Sequence, residues 1–356
     1  MIGERIADTP GQGAQLPLPY TPGTAAERSI DQLVDWISAE RETLEGRLLQ
    51  HGALLFRGFA VHGAADFERV ARAIDPHLRN DYLGTSPRNG LTEYVFSASE
   101  LPPFYPIPQH IEMSFLPNPP RRLFFACETA PERHGETPLC DFRRVYADLD
   151  PEVREAFETR GIRNIRNYDG PDAAPRRDLW KLKRWDEMFL TRDRDQVEAV
   201  AAAQGLTCEW YGEGKLRLVN EQEAIRRHPE TGEPVWFNHS QVFHVAAAAL
   251  EYRRIARRHK SPRAVFFAGL TGLLTAARRR LVSSQDQAMH CTFRDGGEIP
   301  DAYMEHVSET IWRHLTFTPW QPGDVIVIDN FSVSHGRMPY RGPRNILVAW
   351  TTGLTD

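Results

Sequence analysis

Gln109-His110-Ile111-Glu112-Met113-Ser114 is the stretch on which the reading of this chain turns. Its core is His-x-Glu. On an extended strand successive side chains point to opposite faces, so His110 and Glu112 share one face and Ile111 takes the other. An imidazole nitrogen beside a carboxylate oxygen is two-thirds of a facial triad, the ligand set that holds Fe(II) from one side and leaves the opposite positions open. The third ligand would be a lone His far downstream. His335 fits: it lies in Asp329-Asn330-Phe331-Ser332-Val333-Ser334-His335-Gly336-Arg337, just after the apolar run Val325-Ile326-Val327-Ile328. By itself His-x-Glu is equally the signature of an ordinary histidine next to a glutamate, so the surrounding chain has to decide.

The chain has 356 residues, 41% hydrophobic and 26% charged, with a formal net charge of −5 and a pI of about 6.2. That is enough chain for one large domain or two ordinary ones, with ample area for a core. Nothing in the charge balance calls for nucleic acid or a membrane surface. No apolar run approaches the ~18 residues of a membrane-spanning helix. Cys127, Cys140, Cys208 and Cys291 are scattered without a C-x-x-C pair, which suits reduced thiols in a cytoplasmic protein rather than a structural zinc site.

Residues 1–25 carry Pro10, Gly11, Gly13, Pro17, Pro19, Pro22 and Gly23 and read as a flexible arm, without the apolar segment of a secretory signal. Residues 26–356 read as a single domain with insertions at 170–205 and 245–295. A helix is expected over 29–50 with Ser29 as its N-cap, a buried strand over 52–59, and a helix over 66–74. Further strands are expected at 92–97, 121–128, 161–168, 233–238, 288–293 and 325–328, with a turn and strand over 135–141, two short strands within 207–218, and 345–352 closing the fold. Asp141 is placed to cap a helix over 142–149, and helices follow at 193–204 and 302–315. Leu101-Pro102-Pro103-Phe104-Tyr105-Pro106-Ile107-Pro108 is a stiff, extended approach to the His-x-Glu. Residues 246–281 read as one long helical stretch with eight Arg and one Lys against a single Glu between Glu251 and Arg280. Many short strands with few alternating helices suggest a β-sandwich or jelly roll.

Four features occur in order: His110-x-Glu112; Gly135-Glu136-Thr137; Trp320-Gln321-Pro322-Gly323-Asp324 leading to His335-Gly336-Arg337; and Gly342-Pro343-Arg344. Together with Tyr82 to Arg88, His228-Pro229-Glu230-Thr231-Gly232 and Trp236-Phe237-Asn238, this set resembles the taurine dioxygenase/clavaminate synthase-like superfamily of Fe(II)/2-oxoglutarate-dependent oxygenases. The pattern is most similar to the SyrP-like subgroup, which uses Glu in place of the commoner Asp. The resemblance implies a double-stranded β-helix (jelly roll) with N-terminal helices and a helical insertion, and it runs from about Gly52 to the C-terminus.

It further implies that His110, Glu112 and His335 bind iron and that Arg344, assisted by Thr137, receives the far carboxylate of 2-oxoglutarate. A planar guanidinium can hold a carboxylate through two parallel hydrogen bonds. Arg337 is the rival anion partner. With O₂ as second cosubstrate, the expected reaction hydroxylates an aliphatic C–H of a small, amino-acid-derived substrate in specialised biosynthesis, releasing succinate and CO₂. Related halogenases replace the carboxylate ligand with a small residue, and Glu112 is retained here. Desaturation, epoxidation and cyclisation use the same site and stay open, and the sequence is silent on oligomeric state.

Arg88, Gln109, Ser114, Phe115 and Asn238 are the candidate substrate contacts, with Asn238 equally able to satisfy buried backbone. His239 and His244 read as groups flanking the ligands, and the other histidines as structural or exposed. The basic 251–280 stretch reads either as a solvated face or as a dock for an acidic carrier protein bearing the substrate. Two readings from other classes compete: a non-catalytic jelly-roll protein with a structural metal, and a zinc hydrolase using the same ligands. Neither gives Thr137 and Arg344 a purpose.

Overall fold

The computed structural model describes residues 2–4, 15–80, 89–98, 101–173 and 184–353. Its backbone is an eight-stranded sheet in the order Gly3–Glu4, Leu18–Thr21, Ala53–Phe56, Val325–Asp329, Arg122–Thr129, Asn345–Thr351, Leu78–Arg79, with Phe96–Ser97 also paired to Asn345–Thr351. The central strands are apolar on both faces, and the period-2 alternation divides them between two cores. Leu54, Phe56, Phe124, Ala126, Val325, Val327, Leu347 and Ala349 pack under the N-terminal helices Ile30–Ala39, Arg41–His51 and Gly63–Ile74. Leu55, Phe125, Ile326, Ile328 and Val348 face the other way, onto Leu139 and Val333 of a second sheet. Each fully buried Leu, Ile or Phe contributes about 1.5–3 kcal/mol to this packing.

The second sheet has three antiparallel strands, Ile107–His110, Val333–Arg337 and Leu139–Asp141, with Val333–Arg337 in the middle. Two sheets enclosing a shared core make the jelly roll anticipated from the sequence. Beyond it, a four-stranded antiparallel sheet (Thr207–Tyr211, Lys215–Gln222, Ile162–Tyr168, Met289–Phe293) packs with the helices Phe142–Asp148, Pro151–Arg160, Ser240–Phe243 and Asp301–Arg313 around Phe142, Phe157, Trp236 and Phe293.

Several local expectations need correction. The segment expected to be a flexible arm is in part a strand: Leu18–Thr21 pairs parallel to Ala53–Phe56, and Leu18 and Tyr20 are buried. The helix expected over 29–50 is two helices that turn at Glu40, so that Leu33 and Ile37 as well as Leu44 and Leu48 reach one core. Ser29 caps the first as expected, accepting from the Gln32 N–H at 3.3 Å. Pro151–Arg160, with Pro at its first turn, is a helix the sequence reading did not anticipate.

The long basic helix is also two, Ala247–His259 and Pro262–Leu281. The break is local chemistry: Lys260 adopts φ +47°, Ser261 caps the second helix, and Pro262 opens it. Part of its charge is paired with acidic side chains of the same molecule. Arg253 and Arg254 pair with Glu305 at 3.0 Å each, Arg279 pairs with Asp301, and Arg258 stacks over Phe317 at 3.4 Å. Three of the eight arginines in this stretch thus have acidic partners on the neighbouring helix Asp301–Arg313. No helix among the described residues is long and apolar enough to cross a membrane.

Candidate active site

The middle strand of the small sheet brings the distant histidines together, because His335 is in register with His110 on one side and Leu139 on the other. Gly336 makes this approach possible. A Cβ there would lie 2.6 Å from the Ile107 carbonyl oxygen and 2.8 Å from Gln109 Nε2, so only glycine lets the two strands meet. Glu112 arrives differently from the sequence expectation. The strand ends at His110, and the chain turns over residues 112–115 with Met113 at φ +54°. Ile111 is buried in the core, and Glu112 reaches the site from the turn rather than from a shared strand face.

The result is a compact His/Glu/His cluster whose ligand atoms all lie within 4.8 Å of one another. Glu112 Oε2 stands 3.7 Å from His110 Nε2 and 3.5 Å from His335 Nε2. His110 Nδ1 donates to the Pro108 carbonyl at 2.9 Å. A carbonyl only accepts, so Nδ1 carries a proton and Nε2 is the ring nitrogen turned toward the site. Two nitrogens converging on a carboxylate oxygen in a buried place call for a cation between them. Cis ligands about 2.1 Å from one ion lie about 3 Å apart, so a sub-ångström contraction would close the set.

Glu112 is held by Asn330, which sequence reasoning missed. Asn330 is fully buried. Its Oδ1 accepts from the Glu112 N–H at 2.9 Å, and its Nδ2 donates to the Glu112 carbonyl at 3.0 Å and the Pro120 carbonyl at 2.8 Å. The turn carrying Asn330 is fixed in its own right. Asp329 accepts from Ser332 Oγ and from the Phe331 N–H and pairs at 3.0 Å with the buried His228. An Asn in the Asp-Asn-Phe-Ser turn five residues before His335 was the available signal.

Beside the cluster, Arg344 Nε donates to the Gly135 carbonyl at 2.9 Å and its Nη2 to Thr137 Oγ1 at 3.3 Å. Thr137 also accepts from Trp320 Nε1 at 3.3 Å, so its own proton points elsewhere, and no acceptor takes it among the described residues. Arg344 forms no ion pair with a carboxylate among them either. Burial and then the positive Arg337 pull the Arg344 guanidinium down to about 10. An anion at this spot would relieve both effects. Phe125 of the large sheet packs against the His335 ring with centroids 5.1 Å apart, which places the cluster between the two sheets.

Other expected contacts land differently. Arg337 donates to the carbonyls of Leu101, Pro102 and Tyr105 at 3.0, 3.0 and 2.7 Å. It braces the proline-rich approach instead of reaching an anion. Gln109 points away from the cluster, donating to the Pro138 carbonyl and accepting from Ser334 Oγ. Asn238 is wholly buried and satisfies backbone, through the Ala224 carbonyl and the Ser240 N–H. Both are thereby removed as substrate contacts. Arg88 lies outside the described residues.

Ser114 and Phe115 do border the site, through His239. Ser114 Oγ and His239 Nδ1 are 2.6 Å apart, and Phe115 meets the His239 ring edge-on at 5.2 Å. The His239 ring lies 5.9 Å from that of His110. Burial, then the neighbouring His110, pull His239 down to about 3, so it stays neutral. His244 is further off, beside His290. Arg166, not singled out in the sequence, is buried with its guanidinium 4.7 Å above the Phe115 ring.

The sequence profile of the taurine catabolism dioxygenase TauD, TfdA family matches residues 15–350. The chain belongs to that family. Among curated proteins, this TauD/TfdA chain is 30% identical over 326 residues to the dapdiamide synthesis protein DdaC of Enterobacter agglomerans, covering 92% of the chain and 88% of DdaC. It is also 30% identical over 325 residues to a clavaminate synthase-like protein of Arabidopsis thaliana, covering 90% and 88%. PvcB of Pseudomonas aeruginosa shares the fold, with a TM-score of 0.52 and 14% identity over 98% of this chain and 93% of that one. PvcB is described as an Fe, alpha-ketoglutarate dependent oxygenase from an isonitrile synthetic pathway. As a TauD/TfdA member, the chain is an Fe(II)/2-oxoglutarate-dependent oxygenase.

Proposed function

We propose that this oxygenase hydroxylates an aliphatic C–H of a small, amino-acid-derived substrate in specialised metabolite biosynthesis. The observation that carries the reading is the convergence of His110 Nε2 and His335 Nε2 on Glu112 Oε2 next to the Arg344–Thr137 pair. His110, Glu112 and His335 would hold Fe(II). Arg344 and the Thr137 hydroxyl would receive the far carboxylate of 2-oxoglutarate. Iron with this cosubstrate supplies the oxidising power, coupling O₂ to decarboxylation of 2-oxoglutarate to succinate and CO₂. The chain's own contribution is position and access. Pro108 fixes the His110 tautomer, Asn330 fixes Glu112, and Phe125 and Phe115 keep the walls apolar.

Glu112 as a carboxylate ligand favours hydroxylation over halogenation, and the kinship with a dapdiamide synthesis protein supports a place in specialised metabolite biosynthesis. The test is succinate formation from 2-oxoglutarate in the presence of amino acids and short peptides, with mass analysis of each product. A product that gains one oxygen supports hydroxylation. Loss of two hydrogens without oxygen gain would replace it with desaturation.

A further inference from the structure

Arg166 lies on Ile162–Tyr168, an inner strand of the four-stranded sheet, in register with Leu218 on one side and Met289 on the other. That face of the sheet packs against the short helix Ser240–Phe243, which immediately follows His239. Arg166 is only 2% exposed. Its guanidinium nonetheless makes no hydrogen bond and no ion pair among the described residues. Its one contact of note is the Phe115 ring, 4.7 Å below. Phe115 touches His239, and His239 flanks His110. Arg166 is also among the charges that act on His239.

A largely buried cation without an acidic partner is costly, because its N–H donors give up most of their water and receive no acceptor from the protein in return. Every other strongly buried arginine near the site has a purpose in the fold. Arg122 pairs with Asp75 at 2.7 Å, and Arg337 and Arg344 each hold backbone carbonyls. A cation–π contact offsets only part of the cost of Arg166. Such a group persists in a folded protein when a ligand completes it.

We infer that Arg166 is the substrate anchor of this site and that it receives a carboxylate of the substrate. The inference rests on the oxygenase reading and specifies its substrate class as anionic. The guanidinium lies across Phe115 and His239 from the His/Glu/His cluster. A carboxylate held there would leave the carbon chain of the substrate running along Phe115 toward the metal position. Arg344 remains for 2-oxoglutarate, so the two anions have separate receivers on different elements of the fold. The planar fork suits a carboxylate better than an ammonium would, and Arg166→Lys should restore the charge but not the two parallel bonds.

The experiment uses the full-length protein under anaerobic conditions with Fe(II) and saturating 2-oxoglutarate. The probes are N-acetyl-L-alanine and its uncharged carboxamide, and the readout is the thermal midpoint at increasing probe concentration for wild type, Arg166→Gln and Arg166→Lys. Wild type should bind the acid about 10-fold or more tightly than the amide, as expected for a charge-assisted hydrogen bond. Arg166→Gln should lose that preference, and Arg166→Lys should keep part of it. Without probe, Arg166→Gln should melt no lower than wild type, since it removes an uncompensated buried charge.

Equal shifts by acid and amide in wild type, zero shift included, would overturn the inference. So would an Arg166→Gln protein that responds to the acid as wild type does. The absorption band of the Fe(II)–2-oxoglutarate chelate, recorded on the same samples, tests the oxygenase reading separately. A band without acid preference sinks the Arg166 anchor alone, whereas a missing band sinks the cofactor assignment whatever Arg166 does.

Discussion

Replacing Asn330 by Ala should damage stability and metal binding together, by amounts that follow from its three hydrogen bonds. The substitution leaves the Glu112 N–H, the Glu112 carbonyl and the Pro120 carbonyl without their partner in a fully buried place. An unsatisfied buried group costs about 1–3 kcal/mol, and partial relaxation makes three such costs less than additive, so a loss of about 3–5 kcal/mol is expected. Groups that orient metal ligands typically change affinity about 10- to 100-fold when removed, and the same is expected for Fe(II) here. Denaturant unfolding of the metal-free protein measures the first quantity, and anaerobic Fe(II) titration measures the second. Asn330→Asp is the sharper control. It keeps an acceptor for the Glu112 N–H but turns a carboxylate toward two carbonyl oxygens, so it should be at least as damaging. A variant that loses stability yet binds Fe(II) like wild type would refute the claim that Asn330 positions Glu112.

Gly336→Ala should separate the strands carrying His110 and His335, because the added methyl would meet the Ile107 carbonyl at 2.6 Å. A stability loss of about 1–3 kcal/mol with a large fall in Fe(II) affinity is expected, and unchanged metal binding would contradict the packing argument. His244 provides a pH test. Burial, with His290 adding to it, pulls His244 down to about 4 from an ordinary 6.5. Between those values the unfolded chain binds a proton that the native state refuses, so stability present above pH 6.5 is lost as pH falls toward 4. The loss is on the order of 3 kcal/mol. His244→Gln should show a flatter decline between pH 7 and pH 4.5 in denaturant midpoints, and parallel curves would refute the assignment.

The parts of this protein that were legible in advance are those whose signal is local or periodic. Val325 to Ile328 and Arg121 to Glu128 read as strands because both faces are apolar, and Ser29 and Asp141 read as caps because their side chains accept from the next turn. The ligand trio was legible through residue chemistry plus family resemblance, although the strand-face argument for Glu112 was geometrically wrong: the strand stops at His110. What could not be read were interactions between residues far apart in sequence. Asn330 reaches Glu112 across 218 positions. The pairing of Arg253 and Arg254 with Glu305 gives part of the cationic stretch an acidic partner about 50 residues away. Gln109, beside His110 in sequence, turns onto the Pro138 carbonyl, and of the two readings open for Asn238 the folded chain takes the one that satisfies backbone groups. Arg166 has no motif at all, and only its burial without a partner draws notice.

The most direct test of the cofactor assignment is anaerobic difference absorption of the protein with Fe(II) and 2-oxoglutarate, on wild type and on Arg344→Ala. A weak visible charge-transfer band in wild type that fails or weakens in the variant is the predicted result, because His110, Glu112 and His335 leave positions for the chelate and Arg344 with Thr137 receives its far carboxylate. Metal binding in wild type without that band would contradict the account. So would an equal band at equal 2-oxoglutarate concentration in Arg344→Ala.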